Sequence, residues 1–499
     1  MQLRSVFTPQ AAEEQSQTPI ITRWLRHFFT EDISPDNLPI VDLQRRACWI
    51  GVAFILQALN EVVYDWNPPF LKQLIAFIPF VLILGSFAAT WIAFRPQTLQ
   101  QRTRHLQAHP QRWQRRVLLL TVILAIIGAT QLVRVTIMCF LPPQMSNDGT
   151  SLDTNAAILL VEGRNPYTDS NILDLARRFP IQPNWTTPLR RGQFADRLDY
   201  PSMTEFQTTL DTDLKAGAAP EFESKVSYPA LSFLTLVPFA LFNDYNVLPF
   251  YFAGYLLLIF VAWKVVRPEL RPWVLLLSLA NIPMWISVVG GNLDIFVTLL
   301  IVLAWLLRTR RWASALLFGL ALATKQTSWF LVPFYLIMIG RNYTWKEAIG
   351  RGSIAGGVAL LFNLPFMLWN FHAWMAGILA PVADPMFPMG VGLVNLNVAH
   401  VLPYFPGWVY SAMEGIAMLA MLAWYWRLSR KHPEAALLLA VIPLFLAWRS
   451  LSSYFYCAAF PIFILLAARP TIGKAASRLL QGPMHDQPAR ASHEHMTVR

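Results

Sequence analysis

Four side chains carry the chemistry this sequence allows. Asp148 stands in Asn147-Asp148-Gly149, just after an apolar run, and Asp153 follows it closely. Lys325 ends the apolar run 313–324, and Arg449 ends 435–448. A positioned carboxylate accepts a proton, and a cation this close to an apolar span needs a partner or a cavity. Arginine reads phosphate with a planar fork, lysine with a point charge. One carboxylate and two cations meeting at one membrane face could bind and process a phosphate-bearing lipid. Each has a plainer reading. Asp-Gly is a common turn pair, and Asp153 at a helix start would cap it. Lys325 and Arg449 could snorkel to headgroups, as Arg134 near the end of the third apolar run is read to do.

Other chemical signals are thin. Asp211-Thr-Asp213 has the Asp-x-Asp pattern of metal and nucleotide-sugar enzymes. It falls in a stretch assigned below to the outside, where nucleotide sugars are absent. The histidines include His485, His493 and His495 in a polar tail, and no His/Cys set has zinc spacing. Neither a phosphate-binding P-loop nor a Gly-x-Gly-x-x-Gly turn is present, which argues against ATP-driven transport. Cys48, Cys139 and Cys457 lie in or beside apolar runs and read as small buried side chains.

The elements that would position these groups are set by composition. Of 499 residues, 55% are apolar and 14% charged, where soluble domains carry roughly 25% charged residues. Too little polar surface exists to coat a soluble core, and disorder and a disulfide scaffold are excluded by the same balance. The chain reads as an all-α polytopic membrane protein with about 11–13 membrane-embedded helices. Lys plus Arg minus Asp plus Glu is 40 − 29 = +11. The basic residues sit in short stretches between apolar runs, which points to cytoplasmic loops rather than nucleic acid. Residues 1–46 lack the apolar core of a cleavable signal peptide.

Spans are expected at 47–64, 74–94 and 117–135. Arg102, Arg104, Arg112, Arg115 and Arg116 put the second connection inside, together with the N-terminal segment 1–46. The three spans (47–141 with their connections) then leave the long polar stretch 142–227 outside. Basic stretches at Arg308–Arg311, Arg341–Arg351 and Arg427–Lys431 alternate with connections at 289–292, 325–327, 370–395 and 449–453. The basic stretches belong inside and these connections outside. The bundle proper is 228–468, and the basic tail 469–499 reads as cytoplasmic and disordered. Three runs between 228 and 288 offer one crossing too many. The short 228–243, with Pro229 and Pro238, is expected to be broken or re-entrant beside a cavity. Within 142–227, Ala156, Leu159, Leu160 and Gly163 have helical spacing, so a short amphipathic helix is expected on the outer surface.

Several segments resemble the polytopic glycosyltransferases of the GT-C superfamily, closest to glycosyltransferase family 87. They are Asn147-Asp148 with the following helix and Gly163-Arg-Asn-Pro-Tyr167; Ser227-Tyr-Pro-Ala-Leu-Ser-Phe-Leu234; Gly290-Gly-Asn-Leu-Asp-Ile295; and Gly319-Leu-Ala-Leu-Ala-Thr-Lys-Gln-Thr-Ser-Trp-Phe330. Ala230 stands where the family's Tyr-Pro-Pro motif has its second proline. The resemblance spans about residues 117–467 and implies a GT-C-like bundle with one large extracytoplasmic loop. It implies transfer of a sugar, mannose favoured, from a polyprenyl-phosphate donor to a lipid or glycan acceptor outside the cell membrane.

In that superfamily an acid of the first outer loop is the base. This role falls by position on Asp148, with inversion at the sugar. Lys325 falls on the lysine of the fourth motif and, with Arg449, would hold the donor phosphate, so no metal and no cofactor is expected. Secondary candidates are Asp153, the motif residues Tyr228, Asn292 and Asp294, and Arg164 or Arg190 as alternative phosphate ligands. The polyprenyl chain is expected beside 228–243. The competing reading is a lipid or lipid-linked sugar flippase, which also wants intramembrane cations and a broken helix.

Overall fold

A computed structural model of the chain describes residues 40–65, 72–95, 112–143, 147–179 and 186–468. The expected cytoplasmic tail, and all but the end of the N-terminal segment, lie outside the described residues. A backbone in hydrocarbon must satisfy its own hydrogen bonds, so the apolar runs become helices.

The chain opens with α1 (Ile40–Asp65), α2 (Lys72–Phe94) and α3 (Arg112–Met138), each a little longer than its expected span. α1 packs along α2, where Gln57 Nε2 donates to Ser86 Oγ at 2.9 Å. α4 (Asp148–Val161) and α5 (Met203–Ala216) belong to the long polar stretch. α5 begins in a capping box of Ser202 and Glu205 and ends at Gly217.

The rest comprises α6 (Leu248–Val265), α7 (Arg271–Ala280), α8 (Ile282–Val289), α9 (Asp294–Leu306), α10 (Arg311–Thr324) and α11 (Val332–Asn342). Then follow α12 (Trp345–Trp369), α13 (Phe371–Ala383), α14 (Gly407–Leu428) and α15 (Ser453–Ala467). Strands β1 (Met389–Gly390) and β2 (Arg449–Ser450) form a two-residue parallel pair.

Among the described residues five helices, α1, α2, α3, α6 and α12, are long and apolar enough to cross a membrane. The pair α7–α8 is bent by 56° and counts as a sixth if taken as one span. The bend has a local cause. The Asn281 side chain accepts from the Met284 N–H and starts a new helix, and Pro283 has no N–H to continue the old one. Shorter apolar helices make up the remainder. α9 has 13 residues, which at 1.5 Å each is about 20 Å against a hydrocarbon core of about 30 Å. Leu119, Ile126 and Val133 of α3 are exposed, an apolar face suited to lipid rather than water. The protein is an all-α polytopic membrane protein.

The core is aromatic. Tyr251, Tyr255, Trp285 and Trp305 are fully buried. Tyr255 Oη and Trp285 Nε1 both donate to the Ser278 carbonyl, at 2.8 and 3.1 Å. Such rings bury large area while keeping a polar end paired.

One expectation holds here and one is corrected. Residues 228–243 are broken as their prolines demand, into Leu231–Leu234 and Val237–Leu241. These turns pack on α4. α4 itself starts at Asp148 rather than Asp153, and residues 149–159 are all buried. It is therefore an inserted helix, not one lying on the surface. Asn147 supplies the cap that was ascribed to Asp153.

Candidate active site

The start of α4 is stitched to the turn before α9. Asn147 Oδ1 accepts the Thr150 N–H at 2.8 Å while its Nδ2 donates to the Gly290 carbonyl at 2.7 Å. Thr150 Oγ1 donates to the Gly291 carbonyl at 2.5 Å. Gly291 has φ +67, and a Cβ there would come within 3.2 Å of Thr150, so only glycine makes this turn without strain. Asn292 Oδ1 accepts the Asp294 N–H at 3.1 Å and so begins α9.

Tyr228 closes the same region. Its ring lies against Gly149, where a Cβ would approach it to 2.8 Å. The Tyr228 carbonyl accepts from Tyr167 Oη at 2.8 Å, and the neighbouring Ser227 carbonyl accepts from Gln326 Nε2 at 2.5 Å. The second ties the residue after Lys325 to the Tyr-Pro segment.

These contacts bring all four sequence motifs to one cavity of about 260 Å³. Asn147, Tyr228, Asn292 and Lys325 line it, together with Met389–Gly390 of β1 and residues 451–454 before and in α15. A second cavity shares Ser453 and Tyr454 with the first. It runs from Asp294 and Thr298 past Val297, Ile301, Leu437, Val441 and Cys457, and its wall is mostly apolar. Lys325 and Asp294 join the two: Nζ and Oδ1 are 2.8 Å apart, both side chains under a tenth exposed. The ammonium also lies 5.2 Å from the centre of the Tyr228 ring. The connections that the basic loops assign to one side, 289–292, 325–327, 370–395 and 449–453, are the ones that meet here.

The remaining candidates separate. Asp148 is the first residue of α4, beside cavity-lining Asn147; its side chain lies outside the described residues. Asp153 is 1% exposed and accepts from Ser232 Oγ at 2.9 Å, holding the broken segment to α4. Arg449 lies in β2 opposite Met389, one strand position from the cavity wall, and its Nη1 is buried without a hydrogen-bond partner among the described residues. The Arg190 N–H donates to the Pro385 carbonyl at 2.7 Å, so Arg190 stands beside the segment leading to β1. Arg164 is not brought to the cavity. It belongs to a surface network, 3.3 Å from Asp169 and 3.6 Å from Glu162.

Away from the cavity three acids are unusual. Asp384 accepts from Arg191 at 2.8 Å and from Lys225 at 2.6 Å. Burial beside it pushes the Glu223 carboxyl up to about 7. In α5, Asp211 is exposed and Asp213 buried. Residues two apart on a helix point about 200° apart, so this Asp-x-Asp pair cannot share one ion. Burial, then the Glu221 charge, pushes Asp213 up to about 6. Among the described residues no three His, Cys, Asp or Glu side chains are grouped to hold a metal.

Sequence reasoning missed Asn147 as a structural tie and the wall formed by Met389–Gly390 and Ser452–Tyr454. The hydroxyl run Ser452-Ser453-Tyr454, three residues after Arg449, was the available signal for the latter.

Residues 227–468 match the model of glycosyltransferase family 87. The matched region includes Tyr228, Asn292, Asp294, Lys325 and Arg449, and begins after Asp148, Arg164 and Arg190. No curated protein and no solved structure matches the chain.

Proposed function

From a chain whose residues 227–468 match glycosyltransferase family 87, we propose transfer of a sugar from a polyprenyl-phosphate donor to an acceptor hydroxyl at the outer membrane face. The family match carries glycosyl transfer in general. Mannose is the favoured sugar, and the acceptor is a lipid or glycan.

The observation that carries this reading is the pair of joined cavities. One has a mixed wall that bears Lys325, Asn147 and Asn292; the other is a mostly apolar slot. A lipid-linked sugar phosphate has the same division, a polar head on a hydrocarbon tail. The slot, about 60 Å³ in this structure, would widen between α9 and α15 to admit the start of the tail.

In the reaction the acceptor oxygen attacks the anomeric carbon, and the bond from that carbon to the phosphate oxygen breaks. Asp148 takes the hydroxyl proton. Direct displacement inverts the sugar. The leaving group is polyprenyl phosphate, and Lys325 and Arg449 stabilise the charge that grows on it from fixed positions. With two cations in that role, the reaction needs no metal ion.

Val441→Trp tests the tail site, because it fills the apolar slot without touching the polar cavity. Its KM for a long-chain polyprenyl-phosphate sugar should rise by roughly 4- to 15-fold, the cost of displacing one or two buried methylenes at about 0.8 kcal/mol each. A short isoprenyl-phosphate sugar should be used as by wild type. Equal effects on both donors would place the tail elsewhere.

A further inference from the structure

Asp294 is the one acid whose side chain is seen at the junction of the cavities, and the transfer chemistry above does not use it. We propose that Asp294 is a positioning residue: it holds the Lys325 ammonium at the cavity junction, aimed for the donor phosphate before the donor arrives. The proposal rests on the reading of Lys325 as a phosphate ligand.

The geometry supports it at three levels. Lys325 is 5% exposed, and a flexible four-carbon stem ending in an unpaired buried charge would be costly. Asp294 Oδ1, at 2.8 Å, offsets that cost and fixes one of the three ammonium N–H directions. It is the hydrogen-bond partner of that ammonium among the described residues. The other two N–H groups are the ones phosphate oxygens would take.

Asp294 is itself held in place. Its N–H is bound by Asn292 Oδ1, and the turn carrying Asn292 is bound by Asn147 and Thr150 of α4. One chain of contacts thus runs from the helix that begins with Asp148 to the phosphate cation. Asp294 also lines the apolar cavity, and its Oδ2 is buried without a hydrogen-bond partner among the described residues.

A four-variant cycle in the full-length protein tests this, with polyprenyl-phosphate mannose as probe donor and melting temperature read in parallel. Asp294→Asn should lower kcat/KM by about tenfold or more. Asp294→Glu, which keeps the charge, should recover most of it with normal folding. In a Lys325→Ala background, Asp294→Asn should cause no further loss of rate. It should also raise the melting temperature there, because it removes a carboxylate left buried without its cation.

A merely structural Asp294 would instead cost the same factor in both backgrounds, and that result overturns the proposal. So does wild-type kcat/KM in Asp294→Asn while Lys325→Ala is impaired. Should Asp294→Asn fail to fold, Asp294→Glu decides: full loss of transfer in a folded protein overturns the proposal. Full activity of Lys325→Ala would overturn the phosphate reading itself, and this proposal with it.

Discussion

Asn147 is the clearest place to test how the site is built, because its side chain does two separable things. Its Oδ1 caps α4 at Thr150, and its Nδ2 holds the Gly290 carbonyl at 2.7 Å. Losing a cap costs about 1 kcal/mol, and losing a part-buried neutral hydrogen bond about another 1 kcal/mol. Asn147→Ala should therefore cost about 2 kcal/mol, a factor of about 30 in local opening. Asn147→Asp is the discriminating variant. Aspartate caps as well as asparagine, but it cannot donate, and it would set a carboxylate against a carbonyl oxygen. It should be destabilised by at least about 1 kcal/mol, whereas a residue that only caps would show no change. Hydrogen exchange by mass spectrometry reads the result. Both variants should exchange faster in two segments far apart in sequence, 147–161 and 287–294. Transfer rate should fall in both, since the second segment leads into Asp294. Wild-type exchange and rate in Asn147→Asp would refute the stitching of α4 to the Gly-Gly-Asn turn.

Three further outcomes follow from the same geometry. Arg449→Ala should weaken donor use by the equivalent of about 2–5 kcal/mol, the range for removing one partner of a buried charged contact; unchanged kcat/KM would return Arg449 to a snorkelling role. A cysteine placed at the exposed Thr212 should react with an impermeant thiol reagent in intact cells, and one at Gln107 should not; the opposite pattern would put the cavity on the cytoplasmic side. The Asp213 carboxyl lies above the ordinary aspartate value, so the folded state binds the extra proton between about 4 and 6. That stability is fully present below about 4 and lost as pH rises through about 6. Asp213→Asn should thus protect α5 from proteolysis more at pH 7.5 than at pH 4.5, and an equal effect at both would contradict the buried acid pair.

The sequence exposed what depends on local chemistry. Apolar runs and prolines predicted the first three spans and the break within 228–243. Lys325, Tyr228 and Asn292 stood in recognisable motifs, and all three line the cavity. What stayed hidden depends on contacts across the chain. Asp153 has the composition of a helix cap, yet Asn147 takes that place because its amide can also bind Gly290, a residue remote in sequence. The 56° bend at Asn281 lies inside an unbroken apolar run, so hydropathy passes over it. The Asp294–Lys325 pair was not visible because the two residues end and begin different helices.

The central claim is sugar transfer from a polyprenyl phosphate with Asp148 as base. The direct measurement is the initial rate of polyprenyl-phosphate release from a radiolabelled polyprenyl-phosphate sugar at saturating donor, for wild type and Asp148→Asn. Wild type should release polyprenyl phosphate in step with acceptor glycosylation. Asp148→Asn, folded and donor-bound, should be slower by roughly 10²–10⁴-fold, the contribution of one positioned acid–base group. Equal rates in the two proteins would contradict the catalytic assignment, and no release by wild type would contradict the donor.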